Sequence, residues 1–264
     1  MHIDNILDGK KLFLIVGPCV IESEEVCFRT AEKIKELSEK YQISAIFKSS
    51  YAKANRLSGD SFSGRGIDYG LKVLQRVGQE FGLPLLTDVH ETAEINPAAE
   101  VVDILQIPAF LSRQTELVRQ AAATGKWINI KKGQFLAPED MDKIAGKAKS
   151  GKVILTERGS SFGYHNLVVD FRSLLIMRRF GYPIVFDATH SLQLPAGGGN
   201  ISLGQPEFII PFARAAVAIG VDGLFVETHP EPAKALSDSS AMLPLDNLEA
   251  LIKEVIKIKE GVSA

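Results

Sequence analysis

The sequence predicts an α/β fold, a (β/α)8 TIM barrel, and three observations predict it. Short apolar runs alternate with amphipathic segments eight times along 264 residues, which requires parallel strands joined by helices. Each run stops at a polar or charged residue, and the three long polar connections all follow the ends of such runs. Eight parallel β/α units close most readily into a barrel, and its strand ends then converge on one rim.

In chain order, the strands are read as LFLIVG before Cys19, SAIF before Lys48, PLLT before Asp88 and DIL before Gln106. WINI before Lys131, VIL before Arg158, IVFDAT before His190 and LFV before Glu227 complete the set. Residues 1–11 precede the first strand and are expected to form a small cap over the barrel bottom. The first helix is expected over 22–40, where Val26, Ile34 and Leu37 recur near helical spacing and Ser23 with Glu24 supplies a start signal. Further helices are expected over 67–80, 92–101, 115–123, 139–149, 167–180, 207–219 and 245–260. No linker or low-complexity tract divides the chain, so residues 1–264 are read as one domain, a size usual for α/β barrels.

Composition narrows the function classes. A net charge of -2 argues against a nucleic-acid surface, which needs a broad cationic footprint. The N-terminal MHIDNILDGKK has acidic residues and no long apolar core, and no stretch reaches the about 20 apolar residues needed to span a bilayer. A cytoplasmic protein without membrane contact is expected. Cys19 and Cys27 do not make a CxxC pair or a disulfide framework, and Cys27 falls on the apolar face of the first helix as a structural thiol.

The long connections are SSYAKANRLSGDSFSGRG after strand 2, SLQLPAGGGNISLGQP after strand 7 and HPEPAKALSDSSAMLP after strand 8. Loops of this length usually carry function, and barrel enzymes build their sites at this end. The run Gly197 to Gly199 lacks the GK[ST] of a phosphate-cradling loop and is read as a lid.

Two groups of strand-end residues carry chemistry. Lys48, Lys131 and Arg158 end strands 2, 5 and 6, with Lys53, Arg56, Arg113 and Lys132 close behind. Arginine offers a bidentate fork and lysine a compact charge, so the implied ligand is a phosphate, joined by a carboxylate. Cys19, His190, Glu227 and Asp238 belong to strands 1, 7 and 8 and the loop after strand 8, which a closed barrel makes neighbours. Thiolate, imidazole and two carboxylates suit a divalent cation such as zinc, iron or manganese without choosing among them. Asp88 and Gln106 are placed to hydrogen-bond a hydroxylated substrate or to fix a lysine, and His90 and His229 flank the rim. A Schiff-base reaction at Lys131 is a distinct enzymatic alternative.

The segments GPCVIES, FKSSYAKANR, TDVHE, QIPAFLSRQT, NIKKGQFLAP, LTERGSSFGYHNLVVDFRSL, FDATHSLQLP and ETHPEPAKALSDSSAMLPL resemble the 3-deoxy-D-manno-octulosonate 8-phosphate synthase family over nearly the whole chain. The resemblance implies condensation of phosphoenolpyruvate with D-arabinose 5-phosphate, releasing phosphate, for lipopolysaccharide synthesis. It also implies that Lys48, Lys53, Lys131 and Arg158 meet phosphoenolpyruvate, with Ser50 and Gln106 nearby. Asn55, Arg56 and Asp88 resemble sugar contacts. Arg113 resembles an arginine that reaches the sugar phosphate of a neighbouring subunit, which implies a homotetramer. Cys19, His190, Glu227 and Asp238 match the ligands of the metal-dependent branch; the metal-independent branch carries asparagine in place of Cys19. The chain departs from the family at Leu57, where a serine usually follows KANR. The nearest rival activity is the sister reaction on erythrose 4-phosphate, whose enzymes carry a KPRTS-type run in place of KANR.

Overall fold

The computed structural model describes residues 3–54, 62–195 and 203–263. Asn55, Arg56, Leu57 and the run Gly197 to Gly199 lie outside the described residues.

Eight parallel strands form the barrel: β1 (Phe13–Gly17), β2 (Ser44–Lys48), β3 (Leu85–Asp88), β4 (Ile104–Ile107), β5 (Trp127–Lys131), β6 (Val153–Glu157), β7 (Ile184–Asp187) and β8 (Gly223–His229). Each pairs with the next, and β8 returns to β1 with Phe13 opposite Gly223 and Gly17 opposite Glu227. The short strand Leu243–Pro244 extends the sheet beside the end of β8. Among the described residues eight helices cover the outside: α1 (Glu24–Tyr41), α2 (Ile67–Phe81), α3 (Thr92–Val101), α4 (Thr115–Ala123), α5 (Asp140–Gly146), α6 (Arg172–Arg178), α7 (Ile209–Ile219) and α8 (Leu248–Ser263). The expected barrel and its element order are therefore present. Ser23 starts α1, its side-chain oxygen accepting the Val26 N–H at 3.2 Å.

The strands are apolar along their length because both faces are buried, and alternation sorts the two faces. Leu14, Val16, Ala45, Phe47, Leu85, Leu105, Leu155 and Phe186 pack outward against the helices. Phe13, Ile15, Ile46, Leu86, Ile104, Ile154, Val185 and Phe225 form a second cluster with Ile6 and Leu7, and these are the inward residues of the strands. Ile6 ends the short helix Ile3–Ile6, so the N-terminal segment packs on the lower interior of the barrel; the Trp127 indole N–H donates to Asp4 at 2.6 Å. Gly223 is inward too, and a Cβ there would stand 2.5 Å from the Phe13 ring.

One expected helix differs. Over 167–180 only Arg172–Arg178 is helical, and Leu167–Val168 pairs antiparallel with Ser160–Ser161 instead. Gly163 and His165 take left-handed φ values of 73° and 53° between those two short strands, so the chain turns back before it can start α6. Residues 245–247 form a 3-10 turn ahead of α8, and α5 is shorter than the expected 139–149.

Candidate active site

Above the inner apolar cluster the inward positions turn polar. Lys48, Asp88, Gln106, Asn129, Thr156, Asp187 and Glu227 are all buried there, two residues further along the strands than the apolar layer, and Lys131 is buried two residues beyond Asn129. The same alternation that fills the bottom of the barrel with Ile and Phe thus aims these side chains at the C-terminal mouth. Gly17 permits close approach of the first two strand ends, since a Cβ there would lie 2.1 Å from the Lys48 carbonyl oxygen.

Cys19, Glu227 and Asp238 come together on one side. Each offers a ligand atom, and these atoms lie within 4.8 Å of one another. The Cys19 thiol donates to Asp238 Oδ2 at 3.0 Å and lies 2.9 Å from the Ser237 hydroxyl. Burial, and then the Asp238 and Glu227 carboxylates, push this thiol well above its usual value. His190, the fourth expected ligand, reaches the group through Glu227: its Nε2 is 3.4 Å from Glu227 Oε2. That oxygen is buried and has no hydrogen-bond partner among the described residues. A soft thiol, an imidazole nitrogen and two carboxylates, one of which holds the orphaned buried oxygen, fit a divalent cation, whose binding would displace the thiol proton.

The two strand-end lysines are paired with carboxylates. Lys48 Nζ is 2.8 Å from Glu227 Oε1 and 3.6 Å from Asp88 Oδ2. Burial opposes its charge, but Glu227 and Asp88 outweigh that and hold Lys48 above the usual lysine range. Lys131 Nζ is 2.6 Å from Asp187 Oδ2 and 3.6 Å above the Phe225 ring. Here burial wins over Asp187 and draws Lys131 below its usual value. Burial would raise Asp88, Asp187 and Glu227, yet the surrounding cations hold all three well below the ordinary carboxylate range. Arg158 differs from these two lysines: its Nη2 donates to the His190 carbonyl at 3.2 Å and to Gln193 Oε1 at 2.9 Å, both neutral acceptors. Among the described residues no carboxylate lies within ion-pair distance of Arg158, which leaves its charge uncompensated at close range and able to meet an anion.

A hydrogen-bonded belt crosses the barrel below these charges. Thr156 donates to Asn129 at 2.6 Å, Asn129 to Gln106 at 2.8 Å, and Gln106 to Asp88 Oδ1 at 2.5 Å. Ser50 donates to Asp88 Oδ2, and Lys53 donates to Ser50 at 3.0 Å. A saturated buried network of this kind fixes rotamers and so fixes the positions of Asp88 and Ser50.

The structure therefore gathers Cys19, Lys48, Ser50, Lys53, Asp88, Gln106, Lys131, Arg158, His190, Glu227 and Asp238 around one mouth. Arg113 stands apart: it is exposed on the loop before α4, and its carbonyl accepts from Lys147 at 2.8 Å. Lys132 turns outward and is fully buried against Glu157 and Ser160, as strand alternation requires of the neighbour of Lys131. Cys27 is buried under α1, its thiol pushed up to about 12 by that burial. Tyr164 and His165 face solvent.

Sequence reading missed Asp187, Asn129 and Thr156. Asp187 is the true end of β7 and binds both Lys131 and His190, the latter at 2.7 Å between Oδ2 and Nδ1. Placing the strand end at His190 concealed it. Parity was the available signal: Asp187 follows Val185 by two, just as Asn129 precedes Lys131 and Thr156 precedes Arg158.

Comparison with known proteins agrees over almost the entire length. Residues 4–264 match the family described as the DAHP synthetase I family. A 2-dehydro-3-deoxyphosphooctonate aldolase of Cyanothece sp. is 55% identical over 262 residues, covering 98% of this chain and 96% of that protein. Proteins of the same name from Bordetella petrii and Trichlorobacter lovleyi are 56% and 55% identical, covering 93% and 94% of this chain and 90% and 92% of their own lengths. With its closed barrel and this likeness, the chain belongs to the DAHP synthetase I family, among the 2-dehydro-3-deoxyphosphooctonate aldolases.

Proposed function

We propose that this enzyme condenses phosphoenolpyruvate with D-arabinose 5-phosphate and water, giving 3-deoxy-D-manno-octulosonate 8-phosphate and inorganic phosphate. The observation that carries the reading is Arg158, a buried cation with neutral hydrogen-bond partners, beside Lys131 and across the mouth from Lys48 and Lys53. A ligand with a phosphate and a carboxylate satisfies that arrangement, and the names of the relatives supply the product.

In this reading Arg158, Lys131 and Lys53 bind phosphoenolpyruvate, and Lys48 holds Glu227 and Asp88 in place. Its C3 forms a bond to the aldehyde carbon of the sugar, whose oxygen takes up a proton. Water adds at C2, the C–O bond to phosphate breaks, and phosphate leaves as the keto group forms. Holding both reactants in one geometry supplies much of the rate. Asp88, fixed by Gln106 and Ser50, is assigned to the sugar, and the family resemblance assigns Asn55 and Arg56 to it as well. Cys19, His190, Glu227 and Asp238 would hold a zinc, iron or manganese ion, which when bound supplies Lewis acidity toward the aldehyde or orients water. Asp187 accepts from the Nδ1 side of His190 and leaves Nε2 directed at Glu227.

The protein is proposed to act in the cytoplasm as a homotetramer in lipopolysaccharide precursor synthesis. No helix among the described residues is long and apolar enough to cross a membrane. Exposed Phe110, three residues before Arg113, and exposed Phe135, Phe162 and Tyr164 on neighbouring loops support contact with another copy.

Phosphate release from phosphoenolpyruvate tests the proposal. Arabinose 5-phosphate is expected to sustain release, erythrose 4-phosphate to sustain little, and chelation to stop it. Preference for erythrose 4-phosphate would reassign the substrate, and full turnover after metal stripping would remove the metal from the reading. Burial lowers the Lys131 ammonium, as a Schiff-base lysine requires, so borohydride trapping with a keto substrate is the companion test, with no adduct expected.

A further inference from the structure

Outside the mouth, one buried carboxylate touches two distant pieces of chain that both carry members of the proposed metal group. Glu22 follows Cys19 by three residues and is only 9% exposed. Its Oε1 accepts the Leu236 N–H at 2.7 Å, two residues before Asp238. Its Oε2 stands 3.5 Å from Nε2 of His229, which follows Glu227 by two and is 3% exposed. His229 Nδ1 accepts the Glu231 N–H at 3.0 Å, so in the neutral ring the proton sits on Nε2, the nitrogen nearer Glu22. Nε2 is buried and makes no hydrogen bond among the described residues, so Glu22 is its charged neighbour rather than its acceptor.

These contacts explain how a loop far from β1 in sequence comes to face Cys19. Asp238 adopts a left-handed φ of 49°, uncommon for a residue other than glycine, and its carbonyl closes a turn by accepting from Ala241 at 2.9 Å. Such a conformation persists only where surrounding contacts impose it. The Glu22 bond to Leu236 enters the loop just ahead of that point.

We propose that Glu22 and His229 are positioning residues, a latch that keeps Cys19, Glu227 and Asp238 in register for a divalent cation. The inference rests on the metal reading above. Neither residue contributes a ligand atom; they act by tying the β1 and β8 loops together, and outer partners of this kind typically alter metal affinity by about 10–100-fold.

Cobalt(II) titration of the chelator-stripped full chain is the test, followed through thiolate-to-cobalt absorption, which reports Cys19 directly. Glu22→Ala is expected to weaken cobalt binding by about 10-fold or more. Glu22→Gln keeps an oxygen for the Leu236 N–H and should recover part of the loss, while His229→Asn keeps the acceptor for Glu231 but loses Glu22. Glu94→Gln, a destabilising change in the first turn of α3, should leave cobalt affinity unchanged and so separates positioning from general loss of stability. If Glu22→Ala does not fold, Glu22→Gln and His229→Asn decide the matter. Unmodified affinity in the folded variants overturns the latch alone. Absence of the absorption band in the unmodified protein overturns the metal reading and the latch with it.

Discussion

Lys131 and Lys48 show how two buried lysines on neighbouring ground acquire opposite character. Lys48 has two carboxylates within 4.0 Å and is held charged, whereas Lys131 shares Asp187 with His190 and feels Lys48 as well. Lysine at a strand end is legible in sequence, but its partners are not, because each comes from another strand. Glu94 makes the same point at the mouth's edge. It accepts from the Tyr51 hydroxyl at 2.8 Å and the His90 N–H at 2.6 Å. Burial pushes its carboxyl up, but hydrogen bonds from His90 and Tyr51 outweigh that and hold it at about 2, against an ordinary 4.5. A depressed carboxyl contributes stability that is complete above pH 4.5 and is lost as pH falls toward 2. Acid unfolding followed by circular dichroism should therefore show Glu94→Gln less stable at neutral pH and flatter across that window.

At the scale of elements, the ends of β5 and β6 are fastened from outside the barrel. Lys132 Nζ donates to Ser160 Oγ at 3.0 Å and to the Leu136 carbonyl at 3.3 Å, and lies 3.5 Å from Glu157. Glu157 accepts in turn from the Gly159 N–H and the Ser173 hydroxyl. Glu157→Ala would bury Lys132 without its counter-charge, at a cost of about 3–5 kcal/mol in denaturant unfolding. The double change Lys132→Met with Glu157→Leu should recover most of that loss, since no buried charge then remains. The opposite end of the barrel depends on Ile6 and Leu7, which cover the inner cluster. Either one changed to alanine is expected to cost about 2–5 kcal/mol while leaving the affinity for phosphoenolpyruvate unaltered, because the plug and the mouth lie at opposite ends. The strands and helices were readable from periodicity. The 160–168 hairpin was not, since its apolar Leu167 and Val168 continue the helical spacing of α6 and only two left-handed residues interrupt it.

For the whole molecule, the proposed tetramer and Arg113 make a joint prediction. Light scattering should give four times the 28.8 kDa chain mass, and Phe162→Asp with Tyr164→Asp should lower it. Arg113→Ala should raise the Michaelis constant for arabinose 5-phosphate by about 10-fold or more, the scale of a lost charge-assisted contact, and leave that for phosphoenolpyruvate nearly unchanged. An equal rise for both substrates would place Arg113 outside the sugar-phosphate site.

By itself the sequence determined the barrel, its strand order and the majority of the polar residues at its mouth, because hydrophobic period and strand-end chemistry are local properties. Cys19, Lys48, Asp88, Lys131, Arg158 and Glu227 could be named from the ends of apolar runs alone. Only the tertiary structure decided that Lys48 meets Glu227, that Asp187 stands between Lys131 and His190, and that Glu22 reaches the loop of Asp238. Apart from Asp187 with His190, those pairings join residues on different strands or loops, and the two longest, Lys48 with Glu227 and Glu22 with Leu236, exist because closing β8 onto β1 brings the two ends of the chain to one rim.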